Sequence, residues 1–91
     1  MRKLCEKFSI EGEEIIKTAN GEPIPHDEPI FIVRARDRLA QKLLTAYRLM
    51  SLEDGCNEYH FAKLDVQIAA FTKFREEHPE RMKQPSITRG K

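Results

Sequence analysis

The sequence predicts an α+β fold: a short N-terminal β-hairpin and a third strand, followed by two antiparallel α-helices, in a chain that assembles into an oligomer. Three observations predict it. Short apolar or β-branched segments flank a glycine-bearing turn near the start of the chain. Two long stretches after Asp37 carry apolar residues at helical spacing. The second of these has two apolar faces, where a chain of 91 residues offers one partner helix.

The elements follow in order. Phe8-Ser9-Ile10 and Ile15-Ile16-Lys17-Thr18 surround Glu11-Gly12-Glu13-Glu14, which reads as a hairpin with glycine in its turn. Asn20-Gly21 with Pro23, Pro25 and Pro29 then makes residues 19–29 a loop, because each proline lacks an amide donor and restricts its predecessor. Ile30 to Ala35 returns to an extended reading. The two-residue period of a strand puts Phe31, Val33 and Ala35 on a core face and Ile32, Arg34 and Arg36 on the other. Asp37 is suited to cap a helix running from about Arg38 to Met50, with Leu39, Ala40, Leu43, Ala46, Tyr47 and Met50 in one apolar stripe and Leu44 widening it. Gly55 stops that helix and Asn57 caps the next, from Glu58 to about Glu77, which Pro79 ends.

The second helix carries a bulky stripe of Phe61, Leu64, Ile68 and Phe71 and a small-residue stripe of Ala62, Val66, Ala69 and Ala70. The bulky stripe is expected to pack within the subunit. The small stripe is expected to form the oligomer interface, since small side chains let backbones approach closely, although alanines also suit a half-exposed helix face. Residues 1–80 are expected to form one small domain and residues 81–91 a basic, flexible tail.

Composition narrows the function. The longest apolar run, Ile30-Phe31-Ile32-Val33, falls far short of the roughly 20 residues a membrane helix needs. The N-terminus begins with charge and develops no secretory signal, which predicts a cytoplasmic protein with free thiols at Cys5 and Cys56. A net charge of +1 argues against a general nucleic-acid binder, yet residues 29–50 hold five Lys/Arg against one acidic residue. Cys56 and His60 form one Cys-x-x-x-His pair without the second pair of a structural zinc site, so no metal or cofactor is expected. The same pair resembles a nucleophile with a base but lacks an orienting group or oxyanion donors. No phosphate loop, serine nucleophile elbow or HExxH motif occurs, so no enzyme is expected.

The arginines remain. Arg34, Arg36 and Arg38 alternate through the charged block, and guanidinium forks match phosphate or carboxylate oxygens. The competing reading is a salt-bridge ladder with Glu11, Glu13 and Glu14 of the hairpin.

Pro25-His26-Asp27-Glu28-Pro29-Ile30-Phe31-Ile32-Val33-Arg34-Ala35-Arg36-Asp37, followed by Leu39-Ala40 and Tyr47, resembles a small uncharacterised family of phage and prophage proteins. Its pattern is P-x-D-E-P-(I/V)-F-x-x-R-(A/G)-x-D, and the likeness covers about a quarter of the chain. It implies a phage setting and no particular activity. Small phage proteins without enzyme motifs often act by binding, some by sequestering nucleotide messengers of bacterial immunity. The leading expectation is therefore capture of a small anionic nucleotide, cyclic oligonucleotide or ADP-ribose-like, within a homo-oligomer. Arg34, Arg36 and Arg38 would hold phosphate and Phe31, Tyr47 or Tyr59 would stack on the base. The alternatives are a protein-binding inhibitor of a host defence nuclease or regulator, and a virion or replication accessory without a ligand.

Overall fold

A computed structural model describes residues 1–84. The order of elements is β1 (Arg2–Lys3), β2 (Phe8–Glu11), β3 (Glu14–Lys17), α1 (Ala40–Glu53) and α2 (Glu58–Glu77), with a 3-10 turn at Pro79–Arg81. The three strands form one antiparallel sheet in the order β1-β2-β3, so the fold is α+β.

The hairpin forms where the turn chemistry demands it. Glu11 pairs with Glu14, leaving Gly12 and Glu13 as the two loop residues. Gly12 has φ +60 and Glu13 does not have positive φ, which corresponds to a type II′ turn with glycine at its first central position. Ser9 pairs with Ile16 across the strands, and both are buried. The hydroxyl of Ser9 is satisfied by Thr18 Oγ1 at 2.8 Å, so its burial leaves no unpaired polar group.

The third strand is not the one the sequence suggests. Residues 30–35 form no strand, and the place at the sheet's edge belongs to β1, whose Lys3 pairs with Ser9. The outer edge of β3 is occupied too. Lys17 N donates to Glu22 O at 2.8 Å and Ile24 N to Ile15 O at 2.8 Å, so the chain folds back along β3, with Pro23 bridging Ile16. With both sides of the β2–β3 hairpin taken by sequence neighbours, Ile30–Ala35 pairs with neither of its strands. The alternation survives in part, since Val33 and Ala35 are half-buried while Arg34 and Arg36 are exposed. Phe31, expected on the core face, is 84% exposed.

The segment then turns into α1. Asp37 N donates to Arg34 O at 3.0 Å, and the Asp37 carboxylate accepts from Leu39 N at 2.7 Å. Asp37 thus caps the approach to α1, while the helix itself starts at Ala40, two residues later than the spacing predicts. Lys83 pins the same stretch by donating its N–H to Arg36 O at 2.7 Å and accepting from Arg38 N at 2.8 Å. The folded domain therefore extends beyond residue 80, through the 3-10 turn to Lys83; the rest of the expected tail, from residue 85, lies outside the described residues.

The helices pack antiparallel as expected, but α1 is rotated about its axis. Its inward residues are Ala40 and Ser51, both buried, with Gln41, Leu44 and Arg48 between them. Leu39, Leu43, Tyr47 and Met50, read from spacing as part of a core stripe, are each about half exposed. Small residues at both ends let α2 approach, and three polar contacts fix the pairing: Gln41 Nε2 with Thr72 Oγ1, Arg48 with Asp65, and Ser51 Oγ with His60 Nε2. On α2 the bulky stripe packs inward, with Leu64 buried and Phe61, Ile68 and Phe71 half-buried. Asn57 accepts from His60 N at 3.0 Å and caps this helix, as its position predicts.

The core is thin. Among the described residues the buried apolar side chains are Ile16, Ala40 and Leu64. Large apolar side chains stay exposed along the chain, among them Ile30, Leu49, Leu52 and Val66.

Candidate functional site

The arginine row stands clear of the hairpin. Arg34, Arg36 and Arg38 are exposed, and among the described residues none of them takes part in an ion pair. Glu14, a proposed rung of the salt-bridge ladder, binds His26 Nε2 instead at 2.8 Å. The ladder is therefore absent among the described residues. Its cause is the loop of residues 18–24, which covers the β3 edge and keeps the arginine segment off the sheet.

Arg38 lines a groove that Arg34 and Arg36 do not. This groove, of about 650 Å³, runs along α1 and is lined by Arg38, Gln41, Lys42, Thr45, Ala46, Arg48, Leu49, Leu52 and Arg75. Helical periodicity explains most of the lining, because positions 42, 45, 49 and 52 fall on one side of a 3.6-residue helix, and Arg38 joins from the turn ahead of α1. Arg75 joins from the last turn of α2, brought there by the antiparallel packing. Arg38 and Lys42 begin the groove, and Leu49 and Leu52 supply an apolar wall.

The fourth cation of the groove is occupied. Arg48 Nε donates to Asp65 Oδ1 at 2.7 Å and Nη2 to Oδ2 at 3.3 Å, a two-pronged pair, and the guanidinium lies 5.2 Å from the Phe61 ring centroid. The hydrogen bond from Arg48 holds the Asp65 carboxyl below its ordinary value, and Asp65 raises Arg48 in turn. Because the Asp65 value is depressed on folding, the pair contributes above the ordinary carboxylate value of about 4 and is lost as pH falls through the lowered one. Replacing Asp65 with asparagine is expected to leave the melting temperature nearly unchanged, since both partners are solvated, and to free Arg48 for the groove. Binding of a phosphate-bearing anion should then tighten roughly two- to fivefold, as titration calorimetry would read.

The aromatic residues do not gather at this groove. Phe31 and Tyr59 project into solvent, and Tyr47 packs edge-on against His60 with centroids 5.6 Å apart. Ala62, Val66, Ala69 and Ala70 lie exposed on the outer face of α2. Sequence reasoning missed Lys42, Leu49, Leu52 and Arg75. The four-residue step from Arg38 to Lys42 was available as a signal; Arg75 was not, since it is remote in the chain.

His60 has a different role from the one its spacing to Cys56 suggests. Ser51 Oγ donates to Tyr47 O at 2.8 Å and lies 2.9 Å from His60 Nε2, while His60 Nδ1 lies 2.9 Å from Lys7 Nζ. An ammonium donates only, so Nδ1 accepts and the ring proton sits on Nε2, directed at Ser51. The Ser51 proton is committed to a carbonyl, which leaves no general base poised for it. The chain of bonds instead ties the β1–β2 connection to both helices. Glu6 N donates to Gln67 Oε1 at 3.3 Å in the same region.

Both cysteines are free, and no group of three or more potential metal ligands occurs among the described residues. No helix among them is long and apolar enough to cross a membrane. Comparison with family models, curated proteins and solved structures gives no match to this chain.

Proposed function

We propose that this chain is a non-catalytic binding protein of phage type that sequesters a small anionic nucleotide of bacterial immunity in the host cytoplasm. The observation that carries the reading is the groove on α1. Arg38, Lys42 and Arg75 converge on it without ion pairs among the described residues, beside an apolar wall of Leu49 and Leu52. A volume of about 650 Å³ falls in the range of small-ligand sites. Three cations suit phosphates, and the leucine wall suits the flat face of a base. Arg34 and Arg36 lie outside the groove, so the phosphate contacts pass to Arg38, Lys42 and Arg75. Phe31, Tyr47 and Tyr59 do not line it within one subunit; stacking by one of them requires a neighbouring subunit. Two surfaces suit assembly, the small-residue stripe of α2 and the half-exposed stripe of α1.

A thermal-shift screen of cyclic dinucleotides, cyclic trinucleotides and ADP-ribose tests the reading directly. A ligand at a hundred times its Kd adds about 2.7 kcal/mol to the native state, a rise of roughly 10 to 20 °C in a domain of this size. No shift with any of the three classes would remove the nucleotide reading.

A second reading, direct inhibition of a host protein, is favoured by a specific feature. Phe31 and Ile32 are 84% and 69% exposed, side by side in the proline-bounded loop. Exposed aromatic and aliphatic anchors of this kind fill pockets on protein partners. Ile32→Ala should weaken such an interaction strongly and leave nucleotide binding through the groove intact, since Ile32 does not line the groove.

A further inference from the structure

We infer that α1 forms an antiparallel twofold interface with α1 of a second copy of this chain. Leu39, Leu43, Ala46 and Met50 recur at steps of four, three and four, the spacing of a helix–helix seam, with Tyr47 beside them. This strip lies roughly a third of a turn from the line of Ala40, Leu44 and Ser51, the buried and half-buried residues of α1, and Tyr47 at its margin packs on His60 of α2. The four large side chains are each about half exposed and with Ala46 present on the order of 400 Å² of apolar surface, a size that marks an interaction surface on a monomer.

The charges identify the occupant. Arg36 and Arg38 stand at the N-terminal end of α1 and Glu53 and Asp54 at its C-terminal end. All four are exposed, and none has an ion pair among the described residues. The first turn holds no acidic residue and the last turn no basic one. This polarity runs against the helix's own dipole, which favours acids at the N-terminus and bases at the C-terminus. An antiparallel copy reverses the mismatch: each positive end meets the partner's negative end, and the two dipoles oppose. Leu39 then faces Met50 of the second copy and Leu43 faces Ala46, and the turn that carries Arg36 ahead of α1 comes to the end of the seam where the second copy's Glu53 stands. A twofold axis needs one self-complementary patch, and this helix supplies it.

The small-residue stripe on α2 has less to offer. Its most bulky member is Val66, and its flanking charges show no such polarity. Most groove residues lie about a third of a turn from the seam, but the groove adjoins it, sharing Ala46 and beginning at Arg38. The inference holds whether or not that groove takes a nucleotide.

Sedimentation of the full chain at micromolar concentration tests it. The wild-type protein should run as a dimer or a multiple of one, and Leu43→Glu should raise the dissociation constant at least a hundredfold with the helical circular-dichroism signal retained. Arg36→Glu and Glu53→Arg should each weaken association about tenfold or more, and the two together in one chain should restore it. That rescue does not depend on Leu43 tolerating charge. A wild-type monomer would overturn the proposal, as would an assembly broken by Ala69→Glu but indifferent to Leu43→Glu. A double variant no better than its singles would overturn the antiparallel register.

Discussion

Replacing Leu64 with alanine is expected to lower the stability of the fold by about 3 kcal/mol. Leu64 is one of three buried apolar residues among those described, and it lies midway along α2 where the bulky stripe meets α1. Removing its isobutyl group forfeits the transfer free energy and leaves a cavity beside Arg48 and Asp65, which are tied to each other. Domains are stable by only about 5–15 kcal/mol, and one with so thin a core belongs near the lower end. The loss should therefore appear as a large drop in the urea midpoint. Val66→Ala provides the contrast, since Val66 is exposed and its truncation should move the midpoint little in the monomer. Equal effects at the two positions would mean that the helical hairpin does not hold the stability assigned to it.

The same thin core explains which features were legible in the sequence. Local chemistry was readable: Gly12 takes the positive φ of its turn, Asn57 caps α2, and α2 ends before Pro79. Each depends on residues within a few positions of itself. Ile30–Ala35 was misread as a strand because β character describes a residue's fitness to pair and says nothing of whether an edge is free. Here Arg2–Lys3 and the Pro23 return had taken the two sides of the hairpin. The rotation of α1 was hidden for a related reason. Periodicity identifies apolar stripes, but this helix carries more apolar residues than one neighbour can cover, and polar pairings with Thr72, Asp65 and His60 selected the inward side. A stripe that spacing marks as core thus became exposed surface. The site shows the same division. Arg38 was found from the sequence with Arg34 and Arg36, yet only the turn at Asp37 separates the one that reaches the groove from the two that do not.

That separation yields the sharpest expectation for ligand binding. Arg38→Gln and Arg75→Gln together should weaken binding of a phosphate-bearing nucleotide about a hundredfold or more, as each charge-assisted contact to phosphate contributes roughly 1.5–3 kcal/mol and tenfold corresponds to about 1.4. The melting temperature without ligand should hold, since both guanidiniums are exposed and carry no ion pair among the described residues. Arg34→Gln is the informative control. It removes the same charge from the same block, so a ligand attracted only by the general positive field of residues 29–50 would be weakened as much by its loss. A ligand seated in the groove would not, because Arg34 does not line it. Lys42→Gln should fall between, a compact ammonium being replaced where a forked guanidinium is not required. Strong loss at Arg34 with none at Arg38 and Arg75 would return the site to the exposed row and separate it from the groove.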